Sequence, residues 1–281
     1  MANFRIIAPN VITSATLTCS PSENTTYPVA HLAHHRRMPE VLRTSGVSAQ
    51  EISATWASNQ TIQAVALTRH NLTTAATWRV QLYSDTALTT LIGGFDSGSV
   101  TAFDGTGMTV FENTYDAAFR GHKNSVVWFS SAATTVRGLR VTLTDAGNTD
   151  GYLEACSLIA GSVFEPPGTE NFEFGHPLTL LSDVEQKRTR GGTLTAVVNT
   201  ATVDREWPID LRLMRQTTRD WLYDMARTLG KGTPFFLSMY PADAVRRLER
   251  DYQMQAFWTD LGGFERPSAS GFGNVLKAGE A

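Results

Sequence analysis

Thr77-Trp78-Arg79-Val80-Gln81-Leu82-Tyr83-Ser84 sets Trp78, Val80 and Leu82 on one face and Arg79, Gln81 and Tyr83 on the other. A period of two with one apolar face is the pattern of a half-buried β-strand. Val136–Thr144 repeats it, with Leu139, Val141 and Leu143 sharing a face. Around these two lie further short strand-like segments: Ala15–Cys19, Glu51–Trp56, Thr61–Arg69, Ser125–Ser130 and Tyr152–Phe164. Turn formers separate them, including Ser20-Pro21-Ser22-Glu23-Asn24, Ser58-Asn59-Gln60 and the run Asp145 to Gly151. Many short strands with turns at this spacing predict a β-sandwich. Gly93–Gly107 reads as a long functional loop.

The character changes at Glu165-Pro166-Pro167-Gly168. Beyond it, strands are expected around Leu178–Leu181 and Thr193–Val198. Arg205–Leu213 alternates with Trp207, Ile209, Leu211 and Leu213 together, and its Pro208 implies a sheet edge or bulge. Met214, Thr218, Trp221, Leu222, Met225 and Leu229 recur at helical spacing, with Gly230 placed to end the helix. The apolar strand Thr233–Tyr240 is its expected neighbour, and from Gly262 the chain reads as a Gly/Ser-rich tail, mobile or lying along a partner. The fold class expected is mainly β: a β-sandwich over 1–165, and a smaller α+β domain over 170–281 with one amphipathic helix on a sheet.

Composition narrows function. Of 281 residues, 42% are hydrophobic and 18% charged, and the net charge is -3. The pI is near 6.1. That balance supplies no basic footprint for nucleic acid. No run of 18 apolar residues and no basic-then-apolar N-terminus occurs, so synthesis in the cytoplasm without membrane insertion is expected. Only four residues are lysine; the other cations are Arg, suited to interfacial pairing. Cys19 and Cys156 lack metal or redox spacing and read as buried free thiols.

No catalytic motif emerges. His34-His35-Arg36-Arg37 reads as a solvated loop rather than a metal site. Asp145, Asn148 and Asp150 read as a turn rather than a calcium loop. Leu229-Gly230-Lys231-Gly232-Thr233 lacks the spacing of a phosphate loop. The chain is expected not to be an enzyme and to need no cofactor or metal. Exposed aromatics at loop tips are the remaining signal, so Trp56, Phe95, Phe103 and Tyr115 are candidate glycan contacts. Trp207, Trp221, Met225 and Trp258, with Arg246, Arg247 and Arg250, are candidate subunit-interface residues.

Tyr27-Pro28-Val29-Ala30-His31-Leu32, Trp56 before Thr61-Ile62-Gln63-Ala64-Val65-Ala66-Leu67, and Arg69-His70-Asn71-Leu72 before Thr77-Trp78-Arg79-Val80 together resemble a discoidin, or galactose-binding-like, jelly roll over residues 10–165. His70-Asn71-Leu72-Thr73, Asp145 with Asn148, and Asp150-Gly151-Tyr152-Leu153-Glu154 leading to Ile159-Ala160-Gly161 are similar to tail-tip or baseplate proteins of long-tailed bacteriophages. The second part, with its Gly-Lys-Gly turn and Pro234-Phe235-Phe236, resembles the ring-forming core of distal tail proteins. This likeness implies a structural virion protein that forms a ring of three or six copies. It would contact the tail tube, hub and tape measure. The discoidin likeness implies the alternative, a module attaching to host-surface glycans.

Overall fold

The computed structural model describes residues 3–34, 40–102, 125–168, 170, 178–188, 190, 194–241, 249, 252–264 and 272–280. The protein is mainly β. It divides into two compact units, Met1–Thr169 with Pro234–Gln255, and Glu170–Thr233 with Ala256–Ala281. The strands of the first unit, in chain order, are β1 (Arg5–Ile7), β2 (Thr16–Ser20), β3 (Leu42–Arg43), β4 (Gln50–Thr68), β5 (Thr77–Tyr83) and β6 (Leu91–Asp96). β7 (Val100–Thr101), β8 (Ser125–Thr144), β9 (Glu154–Ala155), β10 (Ser157–Gly161) and β11 (Val163–Phe164) follow. The chain then runs through β12 (Thr179–Arg188), β13 (Leu194–Met214) and the helix α1 (Gln216–Leu229). It finishes with β14 (Phe235–Ser238), β15 (Gln253–Asp260) and β16 (Phe272–Glu280).

In the first unit the main sheet runs β10-β4-β8-β5-β6, with β2 also on β4 and β7 on β5. As the alternation predicts, Trp78, Val80 and Leu82 of β5 and Leu139, Val141 and Leu143 of β8 are all buried in one core. Short 3-10 turns at Val11–Ser14 and Val29–Ala33 add Ile12, Val29 and Leu32 to it. The two strands expected on either side of Ser58-Asn59-Gln60 are one strand, β4, and those around Ser131-Ala132 are likewise one strand, β8. The polar residues sit at exposed register shifts, between Thr55 and Gln60 and between Ile62 and Ala64, instead of ending the strands. The second shift flips the faces. Ile52, Ala54, Trp56 and Ile62 share the core with Val65 and Leu67, while Ala64 and Ala66 turn to the opposite side.

That opposite side carries a second layer. β1 pairs antiparallel with β11 and with β14, Arg5 lying opposite Ser238 and Ile7 opposite Phe236. Ile7 and Phe236 pack on Ala64, Ala66 and Ile159. Burial on both faces explains the near-continuous apolar run of this part of β4. Gly161 at the end of β10 is required by close approach, since a Cβ there would overlap the Pro9 carbonyl oxygen. The strand Pro234–Tyr240 therefore does not belong with a domain 170–281: its ladder partner is β1, and Pro234–Gln255 groups with the first unit.

In the second unit β13 pairs with β12 on one side and β16 on the other, and β16 pairs with β15. Trp207 and Trp258 both stand opposite Ala278, so two tryptophans pack over one small residue on the same face. Pro208 faces Lys277 beyond the reach of β12, whose pairing stops at Thr179–Glu206, so its missing N–H falls at a local edge. The expected loose tail is corrected: Phe272–Glu280 is β16, held because Asn274, Leu276 and Ala278 alternate inward. In α1, Thr218, Leu222, Met225, Ala226 and Leu229 are buried. Gly230 caps it at a φ of 55°, its N–H donating to the Ala226 carbonyl. No helix among the described residues is long and apolar enough to cross a membrane.

Candidate functional site

Local pairing builds a charged and aromatic surface on the first unit. β3 lies antiparallel to β9 with Leu42 opposite Ala155 and Arg43 opposite Glu154. Direct opposition puts each pair on one side, so Leu42 and Ala155 go into the core and Arg43 and Glu154 stand at the surface. The Arg43 Nε donates to Glu154 Oε2 at 2.6 Å. The Tyr27 and Tyr152 rings lie 4.2 Å and 4.7 Å from the guanidinium carbon. Each contact of this kind adds about 0.5–1 kcal/mol at a half-exposed position. Burial opposes the charge on Arg43. The Glu154 hydrogen bond and charge, helped by Tyr152 and Tyr27, outweigh it and hold the guanidinium protonated more firmly than usual.

The result is an arginine fixed on three sides. Its Nε is engaged, while its terminal amino groups have no partner among the described residues. Arg69, the residue after β4, adds a second cation. Its φ is 51°, in the left-handed region that non-glycine residues occupy at a cost of about 1–3 kcal/mol and that gathers at functional sites. Among the described residues its half-buried guanidinium makes no hydrogen bond or ion pair. Arg69 stands beside Cys156, two residues on from Glu154. Burial raises the Cys156 thiol, Arg69 pulls it down and Glu154 pushes it up, with a net rise. The Cys19 thiol, raised by burial and by Glu23, reaches about 11. Both sulfurs are therefore protonated at neutral pH and poor nucleophiles. Beside this face His34 Nδ1 lies 2.8 Å from Glu40 Oε2. The face offers guanidinium donors, tyrosine rings and carboxylate acceptors, which is chemistry for holding a polar ligand.

A buried latch supports it from behind. Asp145 accepts from the Thr73 N–H at 2.8 Å, the Thr73 hydroxyl at 2.7 Å and the Asn148 amide at 3.2 Å. Asn148 also donates to the Asn71 carbonyl. The Asn71 side chain donates to Asp150 and the Tyr152 carbonyl and accepts the Glu154 N–H at 2.7 Å. The oxygens weighed as calcium ligands are thus tied to N–H groups of β-connections, as expected of a turn. Within the latch His70 is fully buried. Its Nδ1 accepts from the Leu72 N–H, its Nε2 lacks a partner, and burial lowers its pKa to about 4 against the pull of Asp145.

The residues singled out from sequence fall elsewhere. Trp56 is a core residue, 2% exposed, its Nε1 donating to the Val11 carbonyl. Phe95 packs half-buried against the same core. Phe103 and Tyr115 lie outside the described residues, as do Arg246, Arg247 and Arg250 and His35 to Arg37. Trp207, Trp258 and Met225 are buried within the chain and present nothing to a neighbour, and Trp221 is half-buried. The expected loop from Gly93 begins as strand: Gly93 and Gly94 are in β6, and a short connection at 97–99 leads into β7. Its Arg79–Asp96 ion pair holds the Asp96 carboxyl down at about 2. Sequence reasoning sought ligand contacts at loop tips and missed Tyr27, Arg43, Arg69 and Tyr152. The available signal was that Tyr27, Arg69 and Tyr152 sit inside the segments that carry the two resemblances.

No protein-family model matches the sequence, and no curated protein sequence does. Among solved structures, the chain is similar to the family 32 carbohydrate-binding module of Clostridium perfringens NanJ in complex with galactose. Identity is 11%, coverage 57% of this chain and 99% of that one, and the TM-score 0.39. It is similar to chitosan-binding module 1 of a chitosanase/glucanase from Paenibacillus sp. IK-5, with 19% identity, coverage of 55% and 100%, and a TM-score of 0.36. It is also similar to reduced XRCC1 bound to the DNA polymerase β catalytic domain, with 8% identity, coverage of 55% and 99%, and a TM-score of 0.39. At these values the likeness assigns no ligand to this chain.

Proposed function

We propose that the first unit is a carbohydrate-binding module that holds a glycan against the Arg43–Arg69 face. The observation that carries this reading is the clamped Arg43, whose free amino groups stand between two tyrosine rings with Glu154 fixing the fork. Guanidinium N–H groups and tyrosine hydroxyls donate to sugar hydroxyl or carboxylate oxygens. The role is binding without turnover. A glycan array probed with the full chain tests it: signal on a defined set of glycans, lost in Arg43→Gln, supports the reading, and a blank array removes it.

A second reading has its own observation. Among the described residues the β12–β13 pair carries an open backbone edge and exposed leucines at positions 180 and 181, features of a protein that joins others. On that reading the chain is a ring-forming structural component of a phage tail tip, located in the virion and contacting tail proteins, with the first unit displayed outward. Co-purification with the other tail proteins as a closed oligomer supports it. Failure to associate with any of them counts against it.

A further inference from the structure

The short strand β9 carries β3 along one edge, with Arg43 opposite Glu154. Its other edge meets the chain on either side of Arg69. There the Asn71 N–H donates to the Glu154 carbonyl at 3.3 Å and the Cys156 N–H to the Thr68 carbonyl at 3.1 Å. One strand therefore has an arginine at each edge, and the Cys156 sulfur lies within the field of both Glu154 and Arg69.

The polar groups of this face are one-sided. Arg43 uses only its Nε, on Glu154, which leaves both terminal amino groups as donors. Arg69 has its whole guanidinium uncommitted, and the Tyr27 and Tyr152 hydroxyls make no hydrogen bond, among the described residues. The nearby carboxylates already have donors. Glu154 is held by Arg43, Glu40 by His34 at 2.8 Å, Glu23 by the Val29 N–H at 2.6 Å and Asp150 by Asn71 at 2.9 Å. Once Arg43 and Glu154 cancel, Arg69 stands as a half-buried positive charge with no counter-ion among the described residues.

A sugar hydroxyl both donates and accepts, so it satisfies only part of a surface of donors. A carboxylate only accepts, carries the charge that Arg69 lacks, and fits a guanidinium fork through two parallel bonds. Resting on the glycan-binding reading of this face, we propose that its ligand is an acidic glycan containing a uronic acid unit. Arg69 holds the carboxylate, while Arg43 and the tyrosine hydroxyls take neighbouring oxygens. Arg69 is then the residue that sets the preference for acidic over neutral sugars.

Isothermal titration of the full chain with matched probes tests it: oligosaccharides of galacturonate, mannuronate and glucuronate, each beside its carboxyl-reduced neutral counterpart. At least one acidic form should bind about tenfold or more tighter than its reduced partner, with a difference that shrinks as salt is raised. Arg69→Gln should bring the two forms within about threefold, while Arg69→Lys, which keeps the charge but not the fork, should retain part of the preference. Thermal unfolding of both variants checks that they are folded. Neutral forms that bind as tightly as the acids overturn the inference and leave glycan binding standing. An acid preference that survives in Arg69→Gln overturns the role of Arg69. A sulfated galactan oligosaccharide that binds as tightly as the uronates assigns the face to anions in general and overturns carboxylate selection. Silence of every probe overturns this inference alone if the glycan array is positive, and the glycan-binding reading with it if the array is blank.

Discussion

β4 and β13 are nearly equal in length, 19 and 21 residues, and both bend through register shifts, yet they live in opposite surroundings. The second half of β4 is paired on both edges, by β8 and β10, and covered on both faces, by the main core and by Ile7 and Phe236. Among the described residues the first half of β13 is paired on one edge only, and its described partners on β12 are exposed. Length and strand propensity do not separate the two. What separates them is how many neighbours each edge and face acquires, so one is a structural spine and the other an available surface.

The largest expected effect tests the spine. Trp56→Ala removes a buried ring and its hydrogen bond to Val11, and should cost about 3–5 kcal/mol in denaturant unfolding. Leu181→Ala on β12 should change the stability of the monomer by less than about 0.5 kcal/mol. Similar values at the two sites would break the comparison.

Acid should act next most strongly. The unfolded His70 takes up a proton near pH 6.5, whereas the folded one resists until about pH 4. The depressed folded value means that stability is full above about pH 6.5 and falls as pH drops toward 4, by an amount on the order of 3 kcal/mol. His70→Asn should flatten that part of a pH–stability curve. Asp145→Ala orphans the Thr73 and Asn148 donors in the buried latch, and should cost about 2–3 kcal/mol by chemical denaturation.

These effects also mark what was legible in the chain. The inward faces of β5 and of the end of β8 could be read because one covered face writes a period of two. The continuity of β4 could not, since Ser58-Asn59-Gln60 reads as a turn and merely lies at a register shift. The return of Pro234–Gln255 to the first unit was hidden for another reason: it depends on a ladder to β1, at the opposite end of the sequence, and backbone pairing leaves no side-chain mark. The Arg43 face was hidden by distance too. Residues 27, 43 and 152 meet through the β3–β9 register, and an arginine between two tyrosines has no linear spacing.

A stability change of the opposite sign sharpens the functional half of the comparison. Arg69→Gly relieves a left-handed backbone and should leave unfolding unchanged or raise stability by up to about 1 kcal/mol, by thermal denaturation. A site kept for packing would lose stability instead.

Isothermal titration of one array-selected glycan into wild type and Arg69→Gly tests the central claim most directly, because the variant is expected to be at least as well folded. Saturable binding by wild type that weakens at least tenfold in the variant is the predicted result. Equal binding by both proteins, or none by wild type, would contradict it.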